Sequence, residues 1–175
     1  MKNFYALAVI AFILVQSSSC KKEISTTTTF DYSNFTVADS SCLYTGNVDT
    51  TDWTYDATWT NAETALLNFS DTISVVDSLT GYVQVSAACS NPSDGLFIVG
   101  TTVEKACVMR IAVVNNKQEL LHYRAVKLTG GPIVNAFDFR YSGAFHKNEN
   151  YRLYYGFYNS TRTLYYKGHG DFRIE

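Results

Sequence analysis

Proline is almost missing from this chain, at two residues in 175, and nowhere past the first twenty positions is there a long run with the 3.6-residue apolar period of a helix. Charge is sparse as well. Fourteen basic residues stand against sixteen acidic ones, for a net of −2, with neither a basic stripe nor an acidic tail, so the electrostatic footprint of a nucleic-acid partner is absent and none is expected. Only three histidines occur, His122, His146 and His169, all scattered, and no two of the four cysteines have C-x-x-C spacing. A metal site would have to be assembled wholly by the fold, and we expect neither metal nor cofactor. No G-x-S-x-G elbow marks a nucleophile. What the chain has in quantity is aromatic and β-branched residues: 13 Tyr and 11 Phe, with frequent Thr and Val, a composition that suits pleated sheets.

The start of the chain reads as an address. Lys2 is followed by an apolar run, Phe4 to Val15, which is short of the ~20 residues needed to cross a bilayer. Gln16-Ser17-Ser18-Ser19 then leads into Cys20, so residues 1–19 read as a removable export signal. The Ser17-Ser18-Ser19-Cys20 junction resembles the bacterial lipoprotein signal, in the loose form found in Bacteroidetes, with Ser17 where Leu is commonest. That resemblance implies a Cys20 acylated after cleavage, a membrane partner engaged through lipid, and residence in the cell envelope, at the outer membrane, with the periplasmic or surface face left open. Residues 20–29, the Cys and a polar KKEISTTTT segment, would form a flexible tether, leaving residues 30–175 as one domain.

Within that domain a single helix is legible. Thr60 with Glu63 three residues on forms a capping box, and Ala62, Ala65, Leu66 and Phe69 share a face. Beyond it, strand signals bounded by Gly, Asn, Asp or Pro recur: Ile73 to Val76, Tyr82 to Ala88, Leu96 to Val99, Cys107 to Val114, Leu120 to Leu128, Ile133 to Phe139, Arg152 to Tyr158, Thr163 to Tyr166 and Phe172 to Ile174. One or two edge strands are also expected within Phe30 to Thr45. Val83, Val85 and Ala87 alternate with Gln84 and Ser86, and Arg110 marks a wet face for the strand that begins at Cys107. Short strands with turn chemistry between them predict an all-β fold, an antiparallel immunoglobulin-like or Greek-key sandwich with one short helix. The run from Ser86 to Tyr155, with Ser90-Asn91-Pro92, LFIV, a hairpin through Asn115-Asn116-Lys117-Gln118, FDF and YRLYY, resembles the C-terminal sandwich of proteins exported by the type IX system of Bacteroidetes. It departs from that pattern by continuing past Tyr155 and by lacking the hairpin Gly, so the likeness as a whole is to small Bacteroidetes lipoproteins of uncharacterised function.

Several residues are candidates for a role. Tyr151, Tyr154, Tyr155, Tyr158, Tyr165 and Tyr166 could present an aromatic sheet face to a protein or glycan, since ring faces stack while hydroxyls stay hydrated. Alternation alone would bury about half of them. The alternative is an envelope hydrolase around Lys167-Gly168-His169-Gly170-Asp171, with His169 aided by Asp171 or His122; the glycines equally permit a bulge or turn. With Cys20 set aside, at most one internal bridge can form. Cys89 and Cys107 both fall on inward phases and are the candidate pair. Thr50 and Ser78 lie in Asp-Thr/Ser triplets resembling the acceptor of Bacteroidetes O-glycosylation. Between these readings, the sequence favours a non-catalytic binding module over an enzyme.

Overall fold

The computed structural model describes residues 30–76 and 80–175, so the expected export signal, Cys20, the expected tether and Ser78 lie outside the described residues. Among the described residues there are seven strands: β1 Val83–Cys89, β2 Leu96–Val103, β3 Cys107–Val114, β4 Leu120–Leu128, β5 Gly131–Asp138, β6 Glu149–Tyr158 and β7 Leu164–Ile174. They pair antiparallel in two sheets, β1-β2-β5 and β4-β3-β6-β7. This is the sandwich expected, in an immunoglobulin-like order with the fourth strand on the second sheet. The alternation in β1 holds, with Val83, Val85 and Ala87 buried and Gln84 and Ser86 exposed. Facing side chains such as Phe97, Val99, Met109, Ile111, Leu153, Phe157 and Phe172 fill the space between the sheets.

A third layer covers the other face of the four-stranded sheet. Parts of the chain from Phe30 to Val75, irregular coil plus α1, Asn61–Leu66, supply it, while Ala38 and Cys42 of the same stretch reach Asn91 and Cys89 at the end of β1. Tyr32, Trp59 and Leu67 from this layer pack on Ala112, Val114 and Tyr154 of the sheet. Burial on both faces is why all eight residues of β3 are buried. The capping box forms as expected: the Thr60 hydroxyl accepts from the Glu63 amide, and the Glu63 carboxylate accepts from the Thr60 amide at 2.7 Å. The same carboxylate accepts the Tyr154 hydroxyl at 3.0 Å, so one side chain both starts the helix and pins it to β6.

Four expectations are corrected by this arrangement. Arg110 does not mark a wet face. It is buried, with Nε donating to Asp71 at 2.8 Å and Nη1 to the Leu67 carbonyl at 3.0 Å, both in the covering layer. The segments Ile73 to Val76 and Phe30 to Thr45 form no strands; Ala38 makes only isolated bridges to Tyr44 and Asn91. The two short terminal strands are one, because β7 runs unbroken through Gly168-His169-Gly170. Finally, Cys89 pairs with Cys42, not with Cys107, which is a buried free thiol. Cys89 ends β1 beside Ile98, whereas Cys107 follows the opposite end of the sandwich, where Val83 pairs with Val103. At ~3.3 Å per residue, a strand length separates the two, roughly 20 Å against the ~7 Å a disulfide can bridge.

Candidate functional site

The glycine-flanked histidine sits where the covering layer crosses the edge of β7. The amides of Trp53 and Asp56 donate to the His169 and Lys167 carbonyls, so residues 53–56 run along the free edge of that strand. Trp53, in a left-handed conformation at φ 58°, turns its indole inward over β7 and stacks on Tyr155. A side chain at position 170 would collide with that indole, and one at position 168 with the Thr54 carbonyl and the Tyr155 ring. The two glycines therefore make room for the chain's own strap. They leave no opening for a substrate.

On the outward face, His169 and Asp171 do not form a dyad. Both oxygens of Asp171 accept from Arg152, at 2.6 and 2.8 Å, while His169 Nδ1 lies 3.3 Å from Asp56. Burial raises the Asp171 pKa against the pull of Arg152, yet the same carboxylate holds Arg152 above its ordinary value despite burial. The two directions conflict over the charge state, and the bidentate geometry decides for an ion pair. Burial pushes His169 down, with Arg152 adding to the effect, so at neutral pH it is an uncharged ring. Tyr32 lies over the Arg152 guanidinium at 4.4 Å, Trp59 meets Tyr154 edge-on at 5.2 Å, and Lys167 lies over Trp59. His122 is on β4, the opposite edge of the sheet, edge-on to Phe139 at 5.3 Å. Three strand spacings, ~14 Å, keep it from β7.

Two buried groups here escaped sequence reasoning. Asn91 is fully buried and ties the covering layer to the sandwich: its amide nitrogen donates to the Thr36 and Asp171 carbonyls, and its oxygen accepts from the Arg173 amide. Asp52 is 7% exposed, and neither carboxylate oxygen has a hydrogen-bond partner among the described residues. Desolvation, reinforced by Asp171 and Asp49, pushes its pKa up to about 8. An Asp in a Thr-rich segment carries no sequence signal that it will be sealed under a strap.

The tyrosines do not make one face. Tyr151, Tyr154 and Tyr155 are buried, which corrects the expected aromatic sheet surface; Tyr158, Tyr165 and Tyr166 are half-buried. Strand alternation sends Tyr151 and Tyr155 into the inter-sheet core and Tyr154 under the covering layer. The Tyr155 hydroxyl donates to the Thr54 carbonyl at 3.0 Å, and that of Tyr151 accepts the His146 amide. Tyr166 packs on Tyr155 and Phe157 and meets Tyr55 of the covering layer at 5.4 Å. Thr50 is exposed.

An open cleft of about 580 Å³ lies elsewhere, between α1 and the β6–β7 turn, lined by Asn61, Thr64, Asn68, Arg110, Tyr158 and Arg162 among others. Arg110 forms its base, with the guanidinium 5.3 Å from the Phe69 ring centre and 4.9 Å from that of Tyr158. Of its five N–H groups, three are engaged by Asp71 and Leu67, leaving two without a partner among the described residues. Arg162 forms the rim, 57% exposed and 3.9 Å from Asp71. Its φ is +61°, in a hairpin turn closed by Asn159, where a left-handed residue is usually Gly and an L side chain costs ~1 kcal/mol. No carboxylate, imidazole or thiol lines this cleft. Among the described residues no cluster of His, Cys, Asp or Glu is arranged to hold a metal ion, and no helix is long and apolar enough to cross a membrane. No protein-family model matches the sequence, and no curated protein matches it significantly.

Proposed function

We propose that the chain is a non-catalytic, lipid-anchored module of the bacterial cell envelope that binds a protein or glycan, and that it does so through the cleft between α1 and the β6–β7 turn. The observation that carries this reading is the chemistry of the lining: two arginines, two asparagines, a threonine, a serine and a tyrosine, whose hydroxyls have no carboxylate or imidazole in the lining to serve as their general base. Two titratable groups of β7 are covered instead, Asp171 paired with Arg152 and His169 lying 3.3 Å from Asp56. A cleft of this size is in the range of small-ligand sites. The anchor rests on the Cys20 junction and its resemblance to lipoprotein signals. Capture of envelope material by the purified full chain tests the proposal. Ala65→Trp, which fills the cleft from an exposed helix position, should abolish capture while His169→Ala leaves it intact. The reverse pattern would favour the hydrolase alternative.

A further inference from the structure

We infer that the cleft takes a saccharide carrying a carboxylate, of the uronic-acid kind, with Arg162 as the residue that selects the acid; this rests on the binding reading above. Charge is the first ground. Arg110 and Arg162 share a single carboxylate, Asp71, so the base and rim of the cleft hold one positive charge in excess, on a chain whose net charge is −2. One excess charge matches a carboxylate better than a phosphate dianion, and the planar guanidinium fork fits a carboxylate in two-point contact. The second ground is the rest of the lining. Asn61, Thr64, Asn68 and Ser70 are exposed, uncharged groups that both donate and accept, which suits a ring bearing many hydroxyls, while Phe69 and Leu164 give it an apolar side. The third ground is the setting of Arg162. Arg162 occupies a left-handed turn position at which glycine would be relaxed, and its guanidinium gains there only a 3.3 Å hydrogen bond to the Asp71 carbonyl and the distant carboxylate. Gln118 holds the same left-handed position in the hairpin closed by Asn115, so the conformation belongs to the turn, and what sets Arg162 apart is an exposed guanidinium at the cleft rim with little internal engagement.

The left-handed turn supplies a clean test, because Arg162→Gly removes the side chain while relaxing the turn. Glucuronate, glucose and glucose 6-phosphate are titrated by calorimetry into the purified full chain. The expected result is saturable glucuronate binding at least tenfold tighter than glucose, weakened by salt, and reduced tenfold or more by Arg162→Gly at an unchanged or raised Tm. Equal affinity for glucose and glucuronate, or an Arg162→Gly variant that binds as well as the parent, overturns the inference. Tighter binding of glucose 6-phosphate overturns the carboxylate assignment. Absence of binding to all three overturns it too, and envelope capture by Ala65→Trp then reports separately on the binding reading: capture lost in that variant keeps the reading, and capture retained removes it.

Discussion

Replacing Asp52 with Asn should stabilise the protein more at pH 8 than at pH 5. The Asp52 carboxyl is sealed under residues 49–56, with both oxygens unpartnered among the described residues and Asp171 and Asp49 close enough to disfavour its charge. Its pKa in the folded chain is about 8, against 3.8 for the free group. Folding therefore takes up a proton at this site between those values. The stability the neutral acid allows is fully present below about pH 4 and is lost as pH rises through 8. A shift of this size, at ~1.36 kcal/mol per unit, makes the loss between pH 5 and pH 8 about 3–4 kcal/mol if the strap stays closed, and roughly half that if water reaches the group. Asparagine has the shape of the neutral acid and does not titrate. Thermal melts of both proteins across that range should diverge, the variant gaining on the parent by about 6–16 °C at the alkaline end if the strap stays closed and about half that if it does not, given ~2–4 °C per kcal/mol for a domain of this size. Asp171 faces Asp52 and is coupled to it, so the difference between the two proteins reads the Asp52–Asp171 pair rather than Asp52 alone. Parallel melting curves for parent and variant would refute the burial assigned to Asp52.

Other consequences are open to measurement. Gly170→Ala drives the Trp53 indole off β7, with a cost of ~3 kcal/mol for the lost aromatic burial and a red shift of tryptophan emission, whereas Gly143→Ala, with nothing near its added carbon, should change neither. Cys42→Ala opens a loop with a sequence separation of 47, worth up to ~4 kcal/mol on the chain-entropy account, and should lower the urea midpoint as much as reduction does in the parent. Peptide mapping without reduction should recover Cys42 joined to Cys89; a Cys89–Cys107 peptide would contradict the fold. A fatty-acid probe should label the chain at Cys20 in cells, and a Cys20→Ser variant should appear unlabelled and released from membranes.

The sandwich was legible because its strands obey a local rule. Val83, Val85 and Ala87 alternate with polar neighbours, and turn residues separate one strand from the next, so class and most strand positions follow from periodicity. The capping box at Thr60 and Glu63 is equally local. What periodicity cannot show is a second covering. Tyr32, Trp59 and Leu67 come from coil without a period, so nothing announces that β3 is buried on both faces, or that Arg110 is buried with Asp71. The tyrosines of β6 were ambiguous for the same reason: on a sheet covered twice, both phases are inside. Gly168 and Gly170 looked like a turn because their partner is 117 residues away, where Gly170 meets Trp53. The cleft, too, joins residues 61–70 to 158–164 only after the covering layer has docked.

Amide shifts of the labelled full chain during titration with a soluble glycan fraction from the envelope test the central claim most directly. The account predicts perturbations confined to residues 61–70 and 158–164, and absent after Arg162→Gly. Perturbations centred on His169, Asp171 and Asp56, with the cleft silent, would contradict it.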